Sequence, residues 1–219
     1  MSTALPIETF PALSALPHLR HGFIGRIPGL DVQADRAVAL ERLEGFHRQA
    51  RQELGLAEKH LVIGEQIHGR EVAVVDRHTV VPVPGVDGVI TSDPDVCLGV
   101  YVADCCAVYL VEPERRVIGL LHSGRKGSEL GITSVAIARM RDLFGCDPSK
   151  IIVELSPCIR PPHFEIDFAA LIVEQCRAAG VTQVHDAGTC TATHLDRYYS
   201  YRAERGKTGR LLALLALAD

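Results

Sequence analysis

No run of apolar residues in this sequence approaches the about 20 needed to cross a bilayer, which excludes a membrane-spanning helix. No CxxC pair occurs either, so a structural zinc knuckle is excluded. The seven cysteines, at 97, 105, 106, 146, 158, 176 and 190, are odd in number and lack the spacing of a disulfide framework. That usage predicts buried thiols with one functional thiol among them, in a reducing compartment. Charge of one sign is not in excess. The net charge is −4 and the pI about 6.2, which gives no whole-protein attraction to nucleic acid or to an anionic membrane. Internal repeats and low-complexity tracts are missing, and tryptophan is absent altogether. The first residues carry Glu8 and three prolines without a basic start, so they do not read as a secretory signal, and the protein is expected to be cytoplasmic.

What is present is an ordinary globular composition, 47% hydrophobic and 23% charged over 219 residues, enough for one domain with a substantial core. Three apolar runs, at 60–64, 98–103 and 117–121, each stop before a residue with soft-metal or nucleophilic chemistry: His68 in the segment QIHG, then Cys105, then His122. Strands that end in reactive side chains are a common way to build a site, because the sheet fixes where the chain emerges. A buried thiol or a packed core histidine is the competing reading for each one taken singly. The block 108–121 reads as a β-hairpin, with a charged, exposed turn at 112–116, so Cys105 and His122 are expected at the same end.

Further strands are expected at 21–24, 61–64, 71–75, 87–91, 97–103 and 151–155, with 181–185 either strand or loop. Helical spacing marks an amphipathic surface helix over 35–54, with Asp35 as N-cap, Gly55 as stop and His47 facing solvent. Helices are also expected at 132–144 before Gly145 and from Asp167 to about 179 before Gly180. Glu165 and Asp167 read as helix-entry carboxylates. The run LLALLALA at the end looks helical by propensity, but its shortness after Gly209 favours a closing strand at 211–217.

The ordered segments QIHG (66–69), DGVIT (87–91), ADCCAV (103–108), HSGRKG (122–127), SPCI (156–159), CT (190–191) and YYSYRAERGKTGR (198–210) resemble one family, the YfiH-like laccase-domain proteins. That family has been labelled both multicopper polyphenol oxidase and purine nucleoside phosphorylase. The resemblance implies a single YfiH-like domain over 1–219, of α+β class, with mixed β-sheets layered with helices and similar to the catalytic domain of cytotoxic necrotizing factors. It implies a metal held by His68, Cys105 and His122, which are also the catalytic residues. The activities it implies are phosphorolysis of purine nucleosides, methylthioadenosine included, and deamination of adenosine. Removal of mis-incorporated peptidoglycan precursors is linked to bacterial members. One segment departs from the pattern: the family's HAGWRG is here HSGRKG, with Lys126 where Arg is usual. A point charge does not reproduce a bidentate fork.

Two His and one Cys are a ligand set suited to zinc, leaving the fourth tetrahedral position for water. Phosphorolysis needs cationic donors beside the ribose, for which Arg125, Lys126, Arg202 and Arg210 are the candidates. The expected partners are therefore a purine nucleoside and phosphate, with no nucleic acid and no membrane. Two other classes compete. A copper-dependent polyphenol oxidase would need several sets of His ligands, whereas the ten histidines are scattered. A Cys–His hydrolase would use Cys105 as nucleophile and His68 or His122 as base.

Overall fold

The computed structural model describes residues 4–218. In chain order the elements are β1 (Ile7–Glu8), α1 (Pro11–Ser14), β2 (Leu19–Ile24), α2 (Arg36–Glu53), β3 (His60–Ile63), β4 (Val72–Val74), β5 (Gly88–Thr91) and β6 (Val96–Val102). Then come β7 (Cys106–Glu112), β8 (Val117–Ser123), α3 (Arg125–Glu129), α4 (Ile132–Phe144), β9 (Ile152–Leu155), α5 (Phe168–Ala178), β10 (Gln183–Asp186) and β11 (Leu211–Leu217). The strands form two mixed sheets, ordered β1-β2-β11-β6-β3 and β10-β9-β7-β8-β5-β4. This is the expected α+β fold of mixed sheets layered with helices.

β11 shows why tertiary context overrides helix propensity. All seven of its residues are buried, and it pairs antiparallel with β2 on one side and β6 on the other. A strand buried on both faces reads as a continuous apolar run, and each fully buried Leu contributes about 1.5–3 kcal/mol. One apolar cluster joins the first sheet, α2 and the inward residues Tyr109, Val111, Ile118 and Leu120 of the second sheet. Tyr109 donates its hydroxyl to the Gly22 carbonyl of β2 (3.0 Å), a polar link between the sheets. A second cluster packs the other face of the second sheet against α4 and α5.

The expected helix caps and stops are present. Asp35 caps α2 by accepting the Val38 N–H (3.1 Å), and Asp167 caps α5 by accepting the Ala170 N–H (3.0 Å). Each such cap is worth about 1 kcal/mol. Gly55, Gly145 and Gly180 follow their helices at positive φ, as helix stops do. Three details differ. His47 is not solvent-facing: it lies on the buried stripe of α2 with Ala39, Leu43 and Ala50, its ring 5.6 Å from that of Tyr101, and burial lowers its pKa to about 4. Its position four residues after Leu43 puts it on that stripe. Glu112 is buried rather than part of an exposed turn, because its carboxylate accepts the Glu114 and Arg115 N–H groups and so builds the turn itself. The segment after Gly124, to which no element is assigned from sequence, is the short helix α3.

Candidate metal centre and its cavity

The three reactive side chains meet where the two sheets exchange chain. The connection from β3 to β4 leaves the first sheet for the second and carries His68. The connection from β6 to β7 does the same and carries Cys105. His122 sits near the end of β8, opposite Ala107 in the β7–β8 ladder. One ligand atom from each of His68, Cys105 and His122 lies within 4.8 Å of the other two, and this is the one such cluster among the described residues. The two imidazoles meet edge to face, with centroids 4.7 Å apart.

Asp87, just before β5, organises this centre. Its Oδ1 accepts from the His68 N–H and from His122 Nδ1 (both 2.8 Å), while Oδ2 accepts from the Ile67 N–H (3.1 Å) and the Gly69 N–H (2.7 Å). The carboxylate is buried, and burial alone would raise its pKa. The bonds from His122 and the Gly69 N–H outweigh that and hold it below the usual range. A carboxylate on Nδ1 turns Nε2 of His122 toward the centre, as partners of metal-bound histidines do. Burial likewise pushes the Cys105 thiol up, but the charge on His122 and bonds from both histidines bring it down to about 6. Burial opposes charge on His122, yet Cys105 and Asp87 raise it to about 9.

The backbone is bent to reach this arrangement. Gln66, His68 and Asp104 all have positive φ (62°, 62° and 83°), a cost that folded proteins concentrate at functional sites. Gln66 holds its bend by pairing its side-chain amide with Tyr101, donating to the carbonyl (2.6 Å) and accepting the N–H (3.0 Å). Asp104 accepts the Thr191 hydroxyl and the Arg202 N–H (both 2.7 Å), tying two distant segments to the residue before Cys105. Gly124 has no room for a side chain: a Cβ there would stand 2.5 Å from Cys105 Sγ.

A cavity of about 620 Å³ opens over the centre, a size typical of small-molecule sites. His68, Cys105 and His122 line it, with aromatic surface from Tyr101, Phe164, Phe168 and Tyr201. Of the four basic residues singled out in the sequence, Arg125, Arg202 and Arg210 line it and Lys126 does not. Lys126 is exposed on α3. Arg125 bonds Glu129 (2.9 Å), and Arg202 pairs with Glu165, so that helix-entry carboxylate holds an arginine at the rim.

A family model described as multi-copper polyphenol oxidoreductase laccase matches residues 32–169 and 163–218. The chain belongs to this family. It is 33% identical to a purine nucleoside phosphorylase of Streptomyces griseus, over 76% of this chain and 78% of that one. It is 31% identical to a purine nucleoside phosphorylase of Streptomyces coelicolor, over 93% and 90%. Its fold matches that of YlmD from Geobacillus stearothermophilus with a TM-score of 0.80, covering 99% and 100% of the two chains at 23% identity.

Asp87 of DGVIT, Asp104, Gln66, Arg36 and Arg205 all belong to the site although the sequence alone assigns them no role. A signal existed for Asp87: an acid at the mouth of a fully buried strand must have partners, because an unpaired buried charge is too costly to keep. No such signal marks Arg36 or Arg205, whose place in the cavity depends on long-range packing.

Proposed function

We propose that the chain is a zinc-dependent purine nucleoside phosphorylase, with His68, Cys105 and His122 as the metal ligands and the cavity above them as the nucleoside site. The observation that carries this reading is the cluster of two imidazoles and one thiol within 4.8 Å, at the base of an arginine- and aromatic-lined cavity. The names of the relatives support the reaction class. The donor set fits the metal: two nitrogens and a soft sulfur suit zinc, three protein ligands leave a position open, and Asp87 supplies the outer partner such histidines require. A single cluster among the described residues does not provide the several ligand sets of a multicopper enzyme. When bound, the metal would supply Lewis acidity.

The chain's own residues account for the rest. The purine packs on the aromatic surface of Phe164 and Tyr201, and the arginines hold phosphate beside C1′. A phosphate oxygen forms the new bond to C1′ as the bond from C1′ to the purine nitrogen breaks, and the base leaves with the electron pair and takes up a proton. The products are free purine and ribose 1-phosphate. Adenosine deamination is the secondary activity. A panel of adenosine, inosine and methylthioadenosine, each with and without phosphate and read by product mass, tests the assignment. Base release that requires phosphate supports it, whereas release indifferent to phosphate indicates hydrolysis.

A second reading rests on a specific observation. Cys105, His122 and Asp87 form a hydrogen-bonded series in the order of a thiol hydrolase triad, with the acid 2.8 Å from His122 Nδ1. Alkylation of Cys105 separates the readings: the triad predicts rapid modification whether or not zinc is added, and the metal centre predicts protection by zinc.

A further inference from the structure

Five arginines line the cavity, Arg36, Arg125, Arg202, Arg205 and Arg210. Their surroundings differ. Arg125 and Arg202 have Glu129 and Glu165, and Asp104 turns both its oxygens to the Thr191 hydroxyl and the Arg202 N–H. No carboxylate pairs with Arg36, Arg205 or Arg210 among the described residues. Arg210 is half-buried. One of its terminal nitrogens donates to the Thr208 and Gly209 carbonyls (both 2.9 Å), and its guanidinium carbon lies 5.9 Å from the Tyr201 ring centre. Burial, and then the like charge of Arg36, lower the pKa of this guanidinium, outweighing the opposing influence of Tyr201, Cys105 and Asp104. Arg36 is the first residue of α2, where the helix dipole also disfavours a cation. Cations gathered at one wall of a cavity, where the lining carboxylate Asp104 is already bonded to the Thr191 hydroxyl and the Arg202 N–H, lower stability unless an anion joins them.

We propose that Arg36, Arg205 and Arg210 form a phosphate-binding wall, and that Arg36 determines its affinity. The choice of phosphate rests on the phosphorolysis reading, but the wall is tested without any turnover. Its chemistry suits a phosphate dianion either as free phosphate or as the ester of a nucleotide. Calorimetric titration of the purified protein, with the metal it carries, uses inorganic phosphate, adenosine 5′-monophosphate and adenosine in separate arms. In R36Q the phosphate-bearing ligand is expected to bind roughly ten- to a hundredfold more weakly, the loss of a hydrogen-bonded charge, while K126Q stays within about twofold of the parent.

Weakening of both phosphate and the nucleotide assigns the wall to free phosphate. Weakening of the nucleotide alone assigns it to the ester, and either outcome supports the wall. The ligand-free R36Q protein is expected to melt no lower than the parent, since it loses a repulsion; a lower melting temperature would mark Arg36 as structural and overturn the proposal. R205Q, at an exposed position, repeats the test and is expected to weaken the same ligand. Unchanged affinities in R36Q, or a parent that binds neither anion, would also overturn it. Intact phosphate binding without phosphate-dependent base release would count against phosphorolysis and leave the wall standing.

Discussion

Replacing Asp87 by Asn keeps the shape of the side chain and removes its charge. The carboxylate accepts four hydrogen bonds, two on each oxygen, and all four donors lie in the metal centre or the loop that presents it. An amide has one oxygen, so its NH2 must face one of the two donor pairs. If it faces His68 N–H and His122 Nδ1, the imidazole is driven to the tautomer whose proton sits on Nε2, and the lone pair that the proposed metal would take is lost. If it faces Ile67 N–H and Gly69 N–H, the QIHG loop loses its anchor and His68 shifts. Hydrogen bonds to charged groups contribute about 1.5–3 kcal/mol each, so the change should cost roughly 3 kcal/mol or more. For a chain of this size that corresponds to a fall in melting temperature of about 6–12 °C. Zinc affinity, measured by competition with a chromophoric chelator, should fall about ten- to a hundredfold. Zinc affinity within about twofold of the parent, with melting unchanged, would refute the role given to Asp87.

Three other outcomes are expected. Gly124→Ala places a methyl against Cys105 Sγ, so bound metal and activity should both be lost while the circular dichroism spectrum stays folded. Burial and the Asp186 charge raise Glu154 to about 7. Because its folded pKa lies above the unfolded one, its contribution is fully present below about pH 4.5 and is lost as pH rises through 7. Glu154→Gln should therefore be more stable than the parent by about 1–2 kcal/mol at pH 8 and nearly equal at pH 4.5, in chemical denaturation at the two pH values. Tyr109→Phe removes the hydroxyl that joins the sheets and should lower unfolding free energy by about 1 kcal/mol in urea, more if the Gly22 carbonyl stays unpaired.

Local patterning made much of the architecture readable. Strands were visible where apolar runs broke off, and helices where a capping acid and a stopping glycine framed a 3.6-residue period, as at Asp35 and Gly55. For the final run, length and position after Gly209 made a strand as open as the helix that propensity suggests, and burial between β2 and β6 decides it. The separation into two sheets could not be read, because β3 and β4 are neighbours in sequence yet belong to different sheets, and nothing in 64–71 encodes that crossing. His47 was misplaced for a related reason. Its type suggests solvent, and only the phase of α2 against Tyr101 puts it inside.

At the site, His68, Cys105 and His122 were legible because strand ends and a hairpin bring them to one place. Asp87 and Asp104 act through partners 35 and 87 residues distant in sequence, His122 and Thr191, and pairings of that range leave no periodic trace. Lys126 looked equivalent to Arg125 by adjacency, but consecutive residues on a helix point about 100° apart, and the cavity receives only Arg125.

Elemental analysis of the protein purified without chelator, beside Cys105→Ala, tests the centre most directly. Near one zinc per parent chain and almost none in the variant is the result predicted from three converging ligands; undiminished metal in Cys105→Ala would contradict it.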